Sequence, residues 1–105
     1  MKTFFDGIFI SKEHLYEAGI KYPIKLEYYK TEQEETNSNT REFKNKYGIE
    51  VVKTEYLDGS VKVETKEMKN ITNDIKEQEK ILTLLRNNEV TPIGVEDVLE
   101  DLLKV

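Results

Sequence analysis

Hydrophobic and polar positions divide the chain into two kinds of pattern. Residues 20–31 (IKYPIKLEYYKT) alternate with period two: Ile20, Tyr22, Ile24, Leu26 and Tyr28 fall on one side, Lys21, Pro23, Lys25 and Glu27 on the other. That alternation predicts a half-buried strand with a wet outer face. Pro23 has no N–H for a ladder, so the strand lies at an edge or Pro23 sits where no bond is needed. Residues 47–57 and 61–68 flank Asp58-Gly59, a strong hairpin signal. In the first of these, Tyr47, Ile49 and Val51 alternate with polar positions, while Val52 and Tyr56 leave the outer face incompletely polar. Val61 and Val63 then oppose Lys62 and Glu64.

Residues 3–10 (TFFDGIFI) are aromatic and β-branched, a strand by composition. Simple parity groups Phe4, Ile8 and Ile10 on one face and Phe5 and Phe9 on the other. Neither face is polar. Such a strand is covered on both sides, or its second face meets a partner.

From residue 72 the period lengthens to that of a helix. Thr72 is a candidate N-cap for a helix over 72–88, with Ile71, Ile75, Leu82 and Leu85 as its stripe and Ile81 beside it. Asn87-Asn88 can take the left-handed conformation that ends it. A second helix over 91–104 has Thr91-Pro92 as one start signal and Gly94 as a later one, and in it Val95, Val98, Leu99, Leu102 and Leu103 follow i, i+3, i+4, i+7, i+8. The short connection makes a tight helical hairpin that must pack on something apolar. The sheet face carrying Ile24, Leu26, Ile49 and Val51 is its natural seat. The expected fold is therefore α+β: an antiparallel meander of about four strands with two C-terminal helices on one face, in a single domain over 1–105. Two stretches stay outside this frame. Residues 11–19 read as a short helix from Ser11 to Gly19 or as an irregular connection. Residues 32–46 read as a mobile polar loop in which Phe43 is the one large apolar residue.

Composition narrows the function. The 105 residues carry 21 acidic and 16 basic side chains, a net charge of −5. A polyanion binder draws most of its affinity from neutralised phosphates, so this balance argues against nucleic acid. With no Cys and one His (His14), no thiolate chemistry or zinc site is expected. No phosphate loop, dinucleotide fingerprint or nucleophile motif is present. Asp6 and Gly7 interrupt the apolar run a signal peptide needs. These points predict a cytoplasmic, non-enzymatic protein without cofactor, metal, small-molecule substrate or membrane span.

The remaining candidates are surfaces for a protein partner or a second copy. Phe5 and Phe9 form the second apolar face of the first strand. Tyr29 falls on the polar side of its own strand, and Tyr is favoured in interface centres. Phe43 would anchor the polar loop. Glu96, Asp97, Glu100 and Asp101 make an acidic helix face of i, i+4 like-charge pairs, which a cationic partner would relieve. Together these favour a self-associating interaction or regulatory module, with a homodimer as its expected state. The alternative is a DNA-binding accessory protein using the 47–68 hairpin as a wing. Against it, residues 72–105 hold four basic and eight acidic side chains where a recognition helix would meet phosphate.

Three stretches in combination, YGIEVVKTEY (47–56), MKNIT (68–72) and LLRNNEVTPIGVEDVLEDLL (84–103), together with the strand at 22–30, resemble a family of short clostridial proteins of uncharacterised function. The resemblance implies a Firmicutes cytoplasmic protein with a hairpin followed by two helices. It supplies no activity and no site residues.

Overall fold

A computed structural model describes residues 1–10, 22–33 and 46–102. The readings of 11–19, of His14 and of Phe43 lie outside these residues.

Four strands, β1 (Lys2–Ile10), β2 (Ile24–Glu32), β3 (Tyr47–Leu57) and β4 (Ser60–Thr72), precede two helices, α1 (Ile75–Asn87) and α2 (Pro92–Leu102). The strands form one antiparallel sheet in the order β1-β2-β3-β4. This is the meander that the alternating segments predict. β2 is an inner strand, and Pro23 stands just before it, where its carbonyl accepts from Tyr56 N–H at 3.1 Å. The β3–β4 turn pairs Leu57 with Ser60. Gly59 takes φ 78° there, a conformation that costs a Cβ-free residue little.

Both helices pack on one sheet face. Ile24, Leu26 and Tyr28 of β2 meet Ile49 and Val51 of β3 beneath Ile81, Leu82 and Leu85 of α1 and Val95 and Leu99 of α2. Tyr28 spans this core, and its hydroxyl donates to the Val90 carbonyl between the helices at 2.9 Å. Burial pushes the Tyr28 phenol well above its ordinary pKa of 10.0.

The helix boundaries differ from the periodic reading at both ends of α1. Asp74, not Thr72, is the N-cap, and its carboxylate accepts from Lys76 N–H at 2.9 Å. Thr72 ends β4, and its hydroxyl accepts from Asp74 N–H. Ile71 accordingly belongs to the sheet, and Ile75 is exposed. The buried position expected for Ile75 goes to Gln78. At the C-terminus Glu89, and not the Asn pair, takes the left-handed conformation, at φ 50°. Asn88 instead donates its side-chain amide to the Leu84 carbonyl at 2.8 Å. α2 begins at Pro92, as the Thr91-Pro92 signal predicts.

Gln78 explains an irregularity in the sheet. Between the pairs Ile49↔Met68 and Tyr47↔Thr72, β4 advances four residues while β3 advances two. Asn70 turns left-handed in the extra stretch, at φ 58°. Next to it, Gly48 is so closely approached that a Cβ would overlap the Met68 carbonyl oxygen and lie 2.7 Å from Thr31 Oγ1. The Gln78 amide donates to both the Gly48 carbonyl (2.7 Å) and the Thr31 carbonyl (3.1 Å). A polar residue thus stands inside the apolar stripe because Thr31 of β2 and Gly48 of β3, the latter beside the irregularity, supply two acceptors beneath it.

Candidate functional site

β1 carries a bulge that rearranges the expected faces. Phe4 pairs with Tyr29, and Asp6 pairs with the next β2 residue, Tyr28, so Phe5 is the extra residue. The Asp6 carboxylate accepts from Gly7 N–H at 2.8 Å and from Arg86 Nε of α1 at 3.0 Å, which fixes Asp6 on the helical side. Phe5 turns to that side too. It packs against the core, with the Lys30 ammonium 5.7 Å from its ring centre. Lys30 in turn pairs with Glu79 of α1. The parity that grouped Phe5 with Phe9 is therefore corrected: Phe5, Ile8 and Ile10 face the helices, and Phe4 joins Phe9 on the opposite face.

No helix covers that opposite face among the described residues. Its apolar members stand out into solvent: Phe4 is 55% exposed, Phe9 61%, and Val61 and Val63 58% each. Tyr29 lies in the same surface, as its parity predicts. Its ring meets Phe4 edge-on at 5.6 Å, and its hydroxyl donates to Glu27 Oε2 at 2.9 Å. Partial burial and this carboxylate raise the Tyr29 phenol above its ordinary range. The Lys2 ammonium sits 4.5 Å over the Tyr29 ring and 2.8 Å from Glu50 Oε2. The Glu50 carboxylate holds that ammonium above the usual lysine value. Glu50 also lies directly across from Glu67, so Lys2 relieves a like-charge pair. Phe9 and Tyr56 make a second aromatic contact at 6.2 Å.

The surface is thus an aromatic corner at Phe4 and Tyr29, a second at Phe9 and Tyr56, and an aliphatic margin at Val61 and Val63. Phe4, Tyr56, Val61 and Val63 were not singled out by sequence. The signal was available for the valines. A two-residue Asp58-Gly59 turn pairs Tyr56 with Val61 and Thr54 with Val63. That places both valines on the face of Val52 and Tyr56, opposite the core positions Ile49 and Val51.

The acidic residues lie elsewhere. Glu96, Asp97, Glu100 and Asp101 are exposed on α2, on the other side of the sheet from Phe9 and Tyr29. Glu96 reaches Lys66 of β4 at 3.5 Å. The two candidate surfaces do not converge. Among the described residues no group of three or more His, Cys, Asp or Glu side chains converges on a point. No helix among them is long and apolar enough to cross a membrane.

These observations define a small α+β protein: among the described residues, a bulged four-stranded meander with one helical layer and a second face that no helix covers. The chain belongs to DUF6514, a family of unknown function, whose model matches residues 8–105. No curated protein and no solved structure matches it.

Proposed function

We propose that this chain is a non-enzymatic, cytoplasmic bacterial protein-interaction module that pairs with a second copy of itself at a margin of its uncovered sheet face. The carrying observation is the one-sided cover. Two short helices bury one face of the sheet, while the other keeps Phe4, Phe9, Val61 and Val63 each more than half exposed. Isolated apolar residues on a surface are ordinary, whereas several on one sheet face mark a place where another surface docks. Against the DNA-wing alternative, two of the hairpin's lysines lie beside carboxylates: Lys66 is 3.5 Å from Glu96, and Lys62 is 3.6 Å from Glu64.

Light scattering on a size-exclusion column tests the reading. The chain mass is 12.3 kDa. A particle of twice that mass at high micromolar concentration supports self-association, and a strict monomer there overturns it. A fluorescence-anisotropy titration with genomic DNA fragments at ~50 mM salt, where phosphate contacts are strongest, is expected to show no binding.

A further inference from the structure

We propose that two copies join edge to edge along β4, antiparallel, in the register that sets Val63 opposite its own counterpart. This rests on the self-association reading and specifies its seam. β4 is an outer strand of the sheet. From Ser60 to Met68 it keeps an unbroken register with β3, whereas the other outer strand, β1, is interrupted by its bulge. Bulged edges resist strand addition, and regular ones accept it. Apolar side chains stand uncovered on both sides of this edge. Val61 and Val63 lie on the bare face. On the helical side Ile93, 79% exposed, lines a groove of about 410 Å3 between α2 and the Glu64–Lys66 stretch of β4. A strand added to β4 would run beside this groove.

The charges select the occupant and the register. Lys62, Glu64 and Lys66 alternate in sign along the helix-facing side of β4. A two-fold axis normal to the sheet keeps both helical layers on one side and pairs residues of like parity. Centred on Lys62 or on Glu64, it opposes identical charges. Centred on Thr65, it pairs Glu64 with the partner's Lys66 twice over but sets Val63 against the partner's Glu67 and Val61 against the partner's Lys69. Centred on Val63, it sets Lys62 against the partner's Glu64 twice over, Val63 against the partner's Val63, and Val61 against the partner's Thr65. Only this last register satisfies charge and apolarity together. The same charges repel an unmatched strand, so the edge is guarded against strangers and complementary to itself. The product is an eight-stranded sheet whose two bare faces are continuous.

The test is sedimentation equilibrium of the full chain and its charge variants, with circular dichroism confirming each fold. Lys62→Glu places like charges across the seam twice and is expected to raise the dimer dissociation constant on the order of tenfold or more. Adding Glu64→Lys exchanges the pair and is expected to restore the dimer to within about threefold. Because the chain has no Cys, Val63→Cys supplies a single reporter, expected to form a disulfide-linked dimer on mild oxidation. A dimer insensitive to Lys62→Glu, or one weakened by it but not restored by the exchange, overturns this seam and leaves self-association standing. A monomeric wild-type chain overturns both.

Discussion

Gln78→Leu tests how the helical layer is anchored to the sheet. Gln78 is 2% exposed, and its amide is the donor to the Thr31 and Gly48 carbonyls of β2 and β3. Leucine nearly preserves the volume and removes both donors. A buried acceptor left without its partner costs about 1–3 kcal/mol. Two such acceptors, offset by about 1 kcal/mol for burying a more apolar side chain, give a net loss of about 2 kcal/mol. Against the ~5–15 kcal/mol of a small domain that is substantial. In urea, where such domains lose about 1–3 kcal/mol per molar, the midpoint should fall on the order of 1 M. The assay is equilibrium unfolding followed by far-ultraviolet circular dichroism at one fixed protein concentration, since association shifts apparent stability by mass action. Gln78→Glu sharpens the test. A carboxyl group facing two carbonyl oxygens donates only when protonated, so its native pKa rises above the ~4.3 of an unfolded glutamate. The native state then holds the proton longer, and the variant's deficit should grow as pH rises from about 4 to 7. A Gln78→Leu loss below about 0.5 kcal/mol, or a Gln78→Glu deficit that ignores pH, would refute the anchoring argument.

Three further outcomes follow from the same geometry. Gly48→Ala drives a Cβ into the Met68 carbonyl oxygen and Thr31 Oγ1. Backbone cannot yield as a side-chain tip does, so denaturation should show a loss of about 1–3 kcal/mol. Asp74→Ala removes the N-cap of α1 and should cost about 1 kcal/mol, readable as a lower melting temperature with the fold intact. Tyr28 has a native pKa raised by burial, so the unfolded chain releases that proton first and stability falls as pH climbs past about 10. Tyr28→Phe should lose about 1 kcal/mol at neutral pH and show a shallower decline between about pH 10 and 12, checked by parallel thermal melts.

Much of the architecture is readable in the residues because each signal has a single physical source. Ile24, Leu26 and Tyr28 alternate because one sheet face is buried. Asp58-Gly59 makes a tight turn because glycine accepts φ 78°. Val95 and Leu99 lie inward because one face of α2 meets the sheet. The failures share a different cause. Parity counting along β1 assumes a regular strand, and one extra residue at Phe5 transfers Phe4 to the bare face and Phe5 to the helical face. No local composition marks that bulge except Asp6, whose carboxylate bonds Gly7 and Arg86, and Arg86 is 80 residues away. Gln78 and Ile75 exchange their expected environments for a similar reason: the acceptors that draw Gln78 inward belong to β2 and β3, not to its own helix. The bare face was half legible. Tyr29 was placed by its parity and Phe9 by the two-sided pattern, while Val61 and Val63 required carrying the turn's register across to β3.

The central claim is that two copies of this chain associate at a margin of the uncovered sheet face. Sedimentation equilibrium of the wild-type chain across the low to high micromolar range measures it most directly. Self-association predicts a concentration-dependent rise from one chain mass of 12.3 kDa towards twice that value. A mass that stays at one chain throughout would contradict it.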